Sequence, residues 1–141
     1  LAVVAAAGDA LDGKVVLDLT NPLDFSQGFP PRLFVCNDDS LGEQIQRAAP
    51  NARVVKTFNT LANALMVGPE QLPEATDVFV SGEDADAKAT AIEVLRAFGH
   101  PDPIDMGGIG ASRGLEAWLL LWTRLYGRFG SPMFNLKLVR G

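Results

Sequence analysis

The sequence predicts an α/β fold: a mostly parallel sheet with flanking helices, closed by a C-terminal apolar helix and a short strand. Three observations predict it. Short β-branched apolar runs recur at residues 15–19 (VVLDL), 53–58 (RVVKTF) and 77–81 (DVFVS). Runs of this kind suit strands covered on both faces. Segments of helical periodicity separate them, in the order that βαβ crossovers impose. The chain of 141 residues, 48% hydrophobic and 21% charged, is long enough for one core and too apolar for disorder. A single domain over 1–141 is expected, with 110–141 as a helical and terminal-strand extension.

Taken in order, residues 1–7 (LAVVAAA) predict a helix already under way, because nothing caps it at Leu1, and Gly8 and Gly13 supply a stop and a turn. The first strand, 15–19, runs into Thr20, Asn21 and Pro22. Ser40 and Glu43 form a capping box, in which the Ser40 hydroxyl accepts from the third helical N–H while Glu43 reaches back. The helix they open places Leu41, Ile45 and Ala48 on one face and stops before Pro50. After the strands at 53–58 and 77–81, residues 85–98 put Ala91, Leu95 and Phe98 on one stripe, and Gly99 ends that helix. Residues 103–106 (PIDM) read as a weaker strand, whose prolines suit a sheet edge. From Leu115 the apolar positions Leu115, Trp118, Leu119, Trp122, Leu125, Tyr126 and Phe129 keep helical spacing. Leu120 and Leu121 add apolar surface on other faces, so this helix is either a core element or one buried on a second side by a cofactor or a subunit. Residues 134–139 then predict a short closing strand.

Composition excludes several functions. Twelve Lys and Arg against 17 Asp and Glu give a net charge of −5, the wrong sign for general nucleic-acid binding. One cysteine, Cys36, and one histidine, His100, exclude an internal disulfide and a structural zinc cluster. His100 lies between Gly99 and Pro101 and is expected in a solvated loop. No signal peptide is visible, because residues 1–10 carry no basic segment, and no apolar run approaches the ~20 residues of a membrane span. A cytoplasmic protein is the expectation.

Among the motifs, 107–114 (GGIGASRG) follows a strand and opens a helix, and it imitates a phosphate-binding glycine loop. No strand ending in a ribose-binding acid follows it about 20 residues later, so it is read as a decoy. No phosphate-binding loop of the GxxxxGK[ST] type is present. The carboxylates Asp38, Asp39, Glu83, Asp84 and Asp86 sit in loops or first helical turns, where negative charge favours the helix dipole. What remains are polar residues at strand carboxyl ends, where open α/β sheets bind ligands. These are Thr20, Asn21, Pro22 and Leu23, then Asn59 and Thr60, then Ser81 and Gly82. Such a floor, uncharged and partly rigid, suits a flat ring system better than proton chemistry.

The ordered blocks GKVVLDLTNPLDF (13–25), DSLGEQ (39–44), VVKTFNT (54–60), VSGED (80–84) and SPMFN (131–135) together resemble the NADP-dependent coenzyme F420 reductases. The likeness runs from about Gly13 to Arg140. It implies a Rossmann-type fold whose GxGxxG loop lies near an N-terminus not represented here, so that roughly 70 to 80 preceding residues are expected from the size of a βαβαβ half. It implies NADP as one coenzyme and F420 as the other, with a hydride passing directly between nicotinamide and deazaflavin. The resemblance assigns Asn21, Pro22 and Leu23 to the nicotinamide, and Asn59, Thr60 and Leu61 to the hydride-transfer site. It assigns Met133, Phe134 and Asn135 to the deazaflavin, and no catalytic side chain and no metal.

Asn59 stands where some archaeal members carry histidine, a departure that bears on the acceptor. Two other readings remain open: a relative that reduces flavins or ferric chelates, and a non-catalytic binding or scaffold protein that kept the sheet. Five basic residues against one acid in 113–141 fit an anionic coenzyme and equally a solvated helix face. A homodimer through the C-terminal helix is a further expectation.

Overall fold

A computed structural model describes residues 1–141. In chain order the strands are β1 (Val15–Asp18), β2 (Leu23–Asp24), β3 (Arg32–Leu33), β4 (Arg53–Thr57), β5 (Phe79–Ser81) and β6 (Ile104–Asp105). The helices are α1 (Ala2–Ala7), α2 (Leu41–Ala48), α3 (Asn63–Val67), α4 (Ala85–Ala97), α5 (Ser112–Ala117) and α6 (Leu119–Phe129).

The main sheet has the order β1-β4-β5-β6, and β2 and β3 form a separate hairpin. β1 pairs parallel with β4 from Val15↔Arg53 to Asp18↔Lys56, and β5 pairs parallel with β6. These are the parallel pairs that the α/β pattern predicts. The central pair differs: β4 and β5 are antiparallel, with Lys56 opposite Ser81 and Thr57 opposite Val80. The cause lies in the link between them, which holds only the five-residue α3 and a short 3-10 turn. A helix of that length rises about 7 Å against about 17 Å for the strand, so it does not serve as the crossover helix of a βαβ unit. The chain therefore re-enters the sheet from the end at which it left.

Alternate residues of β4 feed two cores, as a two-residue period requires. Val55 joins Phe58, Leu61, Val78, Val80, Ala87, Ala91 and Leu95 beneath α4. Val54 joins Leu41, Ile45, Ala49, Ala52 and Ile109 beneath α2. On α2 the buried residue is thus Ala49, just past the last turn, while Ala48 faces solvent. Phe98 is likewise the C-cap of α4 rather than a core residue; its side chain is 41% exposed and lies against Phe58. The Ser40 cap forms as expected, its Oγ accepting the Glu43 N–H at 3.1 Å. The Glu43 carboxylate takes the Ser40 hydroxyl at 2.7 Å rather than a backbone N–H, because it also binds Arg113.

Two further sequence expectations need correction. His100 is not solvated: it is 1% exposed, its ring meets Phe58 edge-on at 5.8 Å, and its Nε2 lies 3.0 Å from the Met66 carbonyl. The left-handed turn at Gly99 folds the chain back under α3, and that turn carries His100 inward. Residues 134–139 do not form a strand. They make an extended strap in which the Asp77 N–H donates to Leu136 O and the Leu138 N–H donates to the Asp77 carboxylate rather than to a ladder partner. Asn135 completes the anchorage through Thr76 Oγ1 and Asp77 O.

No helix is long and apolar enough to cross a membrane.

Candidate functional site

The carboxyl ends of β1 and β4 lie side by side because the two strands are parallel and in register. Beyond β1, Asp18 Oδ1 accepts the Thr20 N–H at 2.9 Å and its hydroxyl at 2.6 Å, which turns the chain toward Asn21 and the buried Pro22. Beyond β4, Phe58 adopts a left-handed backbone with φ 59°, a conformation uncommon for an aromatic residue. That turn takes Asn59 out of the strand at the carboxyl end of the sheet, beside Asn21.

The two asparagines then hold each other. Asn21 Nδ2 donates to Asn59 O at 2.9 Å, and Asn59 Nδ2 donates to Asn21 Oδ1 at 2.9 Å. The second proton of Asn59 Nδ2 goes to Leu115 O at 3.0 Å. Asn59 Oδ1 receives no hydrogen bond within the chain, so this clasp presents one free acceptor. Leu115 lies in α5, and the helix is interrupted at Trp118, between α5 and α6. The carbonyl that a continuous helix would give to Leu119 is the one that Asn59 takes.

Beside Thr60 lies an apolar cavity of about 300 Å³, lined by Phe79, Met106, Leu115 and Trp118 and by Leu136 and Leu138 of the strap. The Trp118 indole N–H is buried with no partner in the chain. Beneath the clasp sits a wholly buried ion cluster: Lys56 Nζ is 2.8 Å from Asp18 Oδ2 and 2.8 Å from Glu116 Oε1.

The positions singled out in the sequence are distributed as follows. Asn21 and Asn59 meet directly, with Pro22 and Thr60 as their neighbours. Leu23 begins the β2–β3 hairpin opposite Leu33. Leu61 packs into the core under α4. Met133, Phe134 and Asn135 border a second cavity of about 300 Å³ together with residues 72–74, Thr76 and Lys137. Phe134 also packs on Trp122 and Phe129. The strap is anchored at Thr76 and Asp77, ahead of β5. Since β5 runs against β4, that point lies at the same end of the sheet as Asn59. Ser81 and Gly82 do not join them, because the antiparallel β5 carries Gly82 back to Val54 and Val55.

The glycine loop at 107–114 has its own anion. Glu83 Oε1 accepts the Ile109 N–H at 3.0 Å, and a Cβ on Gly108 would come within 2.7 Å of that oxygen. The Glu83 carboxylate stands where a phosphate would have to bind, in keeping with the decoy reading. Asp84 caps α4 through Ala87 N, and Asp39 is tied up by Arg47 and Gln44. The Arg113 guanidinium on Glu43 holds that carboxyl below its usual range. No cluster of His, Cys, Asp or Glu suits a metal ion.

The Lys56, Asp18 and Glu116 cluster was missed in the sequence. Its signal was present: a lysine in the middle of VVKTF, an acid ending VVLD and an acid in an apolar helix each break a pattern whose neighbours are buried. Charges in such places must find one another.

Comparison with known proteins agrees with the resemblance. No protein-family model matches the chain. It is 29% identical over 118 residues to the F420-dependent NADP reductase of Methanocaldococcus jannaschii, covering 83% of this chain and 52% of that protein. A crystal structure from Arthrobacter sp. FB24, provisionally designated an F420-dependent NADP reductase, superposes with a TM-score of 0.95 at 50% identity, covering 99% of this chain and 64% of that one. A hypothetical protein from Sinorhizobium meliloti gives a TM-score of 0.64 at 28% identity over 99% of this chain and 61% of its own. The chain thus spans about half the length of its curated relative and under two thirds of the solved ones.

Proposed function

We propose that this chain is part of an NADP-dependent oxidoreductase that exchanges a hydride between NADP(H) and coenzyme F420. The observation that carries the reading is the Asn21–Asn59 clasp, an uncharged floor at the carboxyl ends of two parallel strands with one acceptor, Asn59 Oδ1, left free. A carboxamide bears the matching donor, so the floor fits a nicotinamide. The apolar cavity at Thr60, lined by Phe79, Met106, Leu115 and Trp118, fits a second flat ring. No acid or base faces the clasp, and hydride transfer between two bound rings requires none. When both coenzymes are bound, they supply the redox chemistry themselves.

The chain's own residues orient and dry the site. Asn21 and Pro22 support the nicotinamide, Asn59 and Thr60 set its angle, and Met133, Phe134 and Asn135 flank the deazaflavin side. Holding two rings in one orientation is the larger part of the acceleration such an enzyme needs.

The rest of the dinucleotide needs a phosphate cradle, and the glycine loop at 107–114 cannot be it, since Glu83 fills it. The relatives are longer, and β1 is an edge strand with only one neighbour. Its outer side borders an apolar cavity of about 380 Å³ lined by Leu1, Val4, Val16, Leu17, Leu41 and Ile45. In this reading a preceding segment of the complete protein adds parallel strands there and brings the phosphate loop. These 141 residues alone therefore transfer hydride poorly or not at all. The C-terminal helix, where Leu121 and Phe129 are 50% and 61% exposed, is the proposed face of a homodimer, and sedimentation over a concentration series tests that. A cytoplasmic location completes the proposal.

The test is an acceptor screen with the complete protein and NADPH, offering F420, flavins and ferric chelates in turn. The reading expects oxidation of NADPH with F420 as the preferred acceptor. A preference for flavin or ferric chelate would move the protein to another reductase class. No NADP(H) binding at all would leave a scaffold.

A further inference from the structure

We infer that Lys56 is a positioning residue for the amide clasp, acting on Asn59 through both of that residue's partners at once; the inference rests on the nicotinamide reading of the site. Two rows of contacts run side by side from β4. Lys56 Nζ donates to Thr20 O at 2.6 Å and lies 2.8 Å from Glu116 Oε1. Three residues on, Asn59 Nδ2 donates to Asn21 Oδ1 at 2.9 Å and to Leu115 O at 3.0 Å. Each partner of Asn59 is therefore the chain neighbour of a partner of Lys56: Asn21 follows Thr20, and Leu115 precedes Glu116.

Each charged group in the cluster has partners on more than one element. Lys56 Nζ donates to Asp18 Oδ2 and Thr20 O and pairs with the Glu116 carboxylate at 2.8 Å. The other Asp18 oxygen holds the Thr20 N–H and hydroxyl. Glu116 further accepts the Leu41 N–H at 2.8 Å and the Gly42 N–H at 2.9 Å, at the start of α2. The first turn of a helix favours that negative charge. None of the three side chains is more than 2% exposed.

A buried ion cluster is a poor source of stability, because desolvating the charges offsets most of their attraction and apolar replacements often serve as well. What it supplies is direction. An apolar side chain at position 56 could fill the space, but it could not fix the Thr20 carbonyl and the Glu116 carboxylate at two set points. Without those points, Asn21 and Leu115 are free to shift together, and the free Oδ1 of Asn59 loses its aim. Lys56 touches no ligand in this account.

The test compares Lys56→Met, Glu116→Gln and Glu116→Ala with the wild type, all as the complete protein. Two readouts are taken: kcat and KM for hydride transfer, and hydrogen-exchange rates of the Asn59 side-chain amide and of backbone amides in β5 and α4 by NMR. Positioning predicts that Lys56→Met lowers kcat tenfold or more, with KM for NADPH changed less than threefold. It also predicts Asn59 amide exchange accelerated tenfold or more, with β5 and α4 unchanged. Glu116→Gln keeps the oxygen that faces Lys56 and the Gly42 N–H but turns an NH2 toward the Leu41 N–H, so it should lower kcat clearly less than Glu116→Ala, which removes every acceptor. Should Lys56→Met fail to fold, the Glu116 pair carries the same comparison. Exchange that rises uniformly across the domain, or an unchanged kcat in the folded variants, would overturn the inference by reducing the cluster to a structural role. If the wild type transfers no hydride, the functional reading falls alone, because the Asn59 exchange rates still decide the positioning claim.

Discussion

Asn59 takes the carbonyl of Leu115 with its side-chain amide at 3.0 Å, and the helix that runs through Leu115 is interrupted at Trp118, between α5 and α6. A candidate-site residue on the sheet and a break in a helix on its flank thus meet at one carbonyl. Trp118 itself keeps helical dihedrals and lines the apolar cavity beside Thr60.

Replacing Asn59 with alanine frees that carbonyl and leaves the Asn21 amide oxygen without its donor. The loss expected is about 1–3 kcal/mol of unfolding free energy, the usual cost of a stranded buried group. Asn21→Ala removes that shared bond from the other side, together with its own bond to the Asn59 backbone carbonyl. A double-mutant cycle in urea should therefore return a coupling of about 1 kcal/mol, and additive losses would show that the two amides do not support each other.

Gly42 makes a second close approach. A Cβ there would lie 2.7 Å from Ser112 Oγ and 3.1 Å from Ser112 Cβ. Gly42→Ala should destabilise the protein by about 1–3 kcal/mol through overpacking between α2 and α5. Ser112→Ala, introduced together with it, removes the nearer atom and should restore part of the loss. Urea unfolding of the three variants measures this, and a double variant no better than Gly42→Ala would place the strain elsewhere.

The strands β1, β4, β5 and β6, the capping serine of α2 and the α/β class could be read directly, because short apolar runs and helix caps are local properties. Strand direction is not local. Nothing in DVFVS distinguishes a parallel from an antiparallel neighbour; the length of the preceding helical link does, and α3 is too short for a crossover. His100 was misjudged for a related reason, since its neighbours Gly99 and Pro101 signal a turn but not which way the turn faces. Asn21 and Asn59 were legible as polar ends of strands, whereas their mutual contact depends on the β1–β4 register. The partner of Lys56 on α5 lies 60 residues along the chain and follows from no spacing rule.

The Glu43–Arg113 pair joins α2 to α5 and gives the protein a defined acid response. Arg113 hydrogen-bonds Glu43 and so lowers its folded-state pKa below the ordinary 4.5. Between those two values the unfolded chain binds more protons than the folded one. The contribution is complete above about pH 4.5 and is lost as the pH falls through the lower, folded value. Thermal unfolding of Glu43→Gln should be less stable than wild type near neutrality, with the difference narrowing toward about pH 3. A gap that stays constant across that range would remove the ionic explanation.

The basic end of the chain is less free than its composition suggests. Arg113 is held by Glu43, Lys137 binds Glu74, and Arg140 lies 3.9 Å from Asp102. Arg124 and Arg128 make no ion pair and lie exposed one helical turn apart on α6. If the acceptor is a coenzyme with an anionic tail, these two side chains are the part of the basic end available to attract it. Replacing both with glutamate should weaken binding of an anionic acceptor several-fold at low salt and much less at high salt, because exposed charges are screened over about 8–10 Å at physiological ionic strength. Titrating F420 into the complete protein at two salt concentrations measures the effect. Equal affinity for wild type and variant at low salt would mean that the pair is only a solvated helix face.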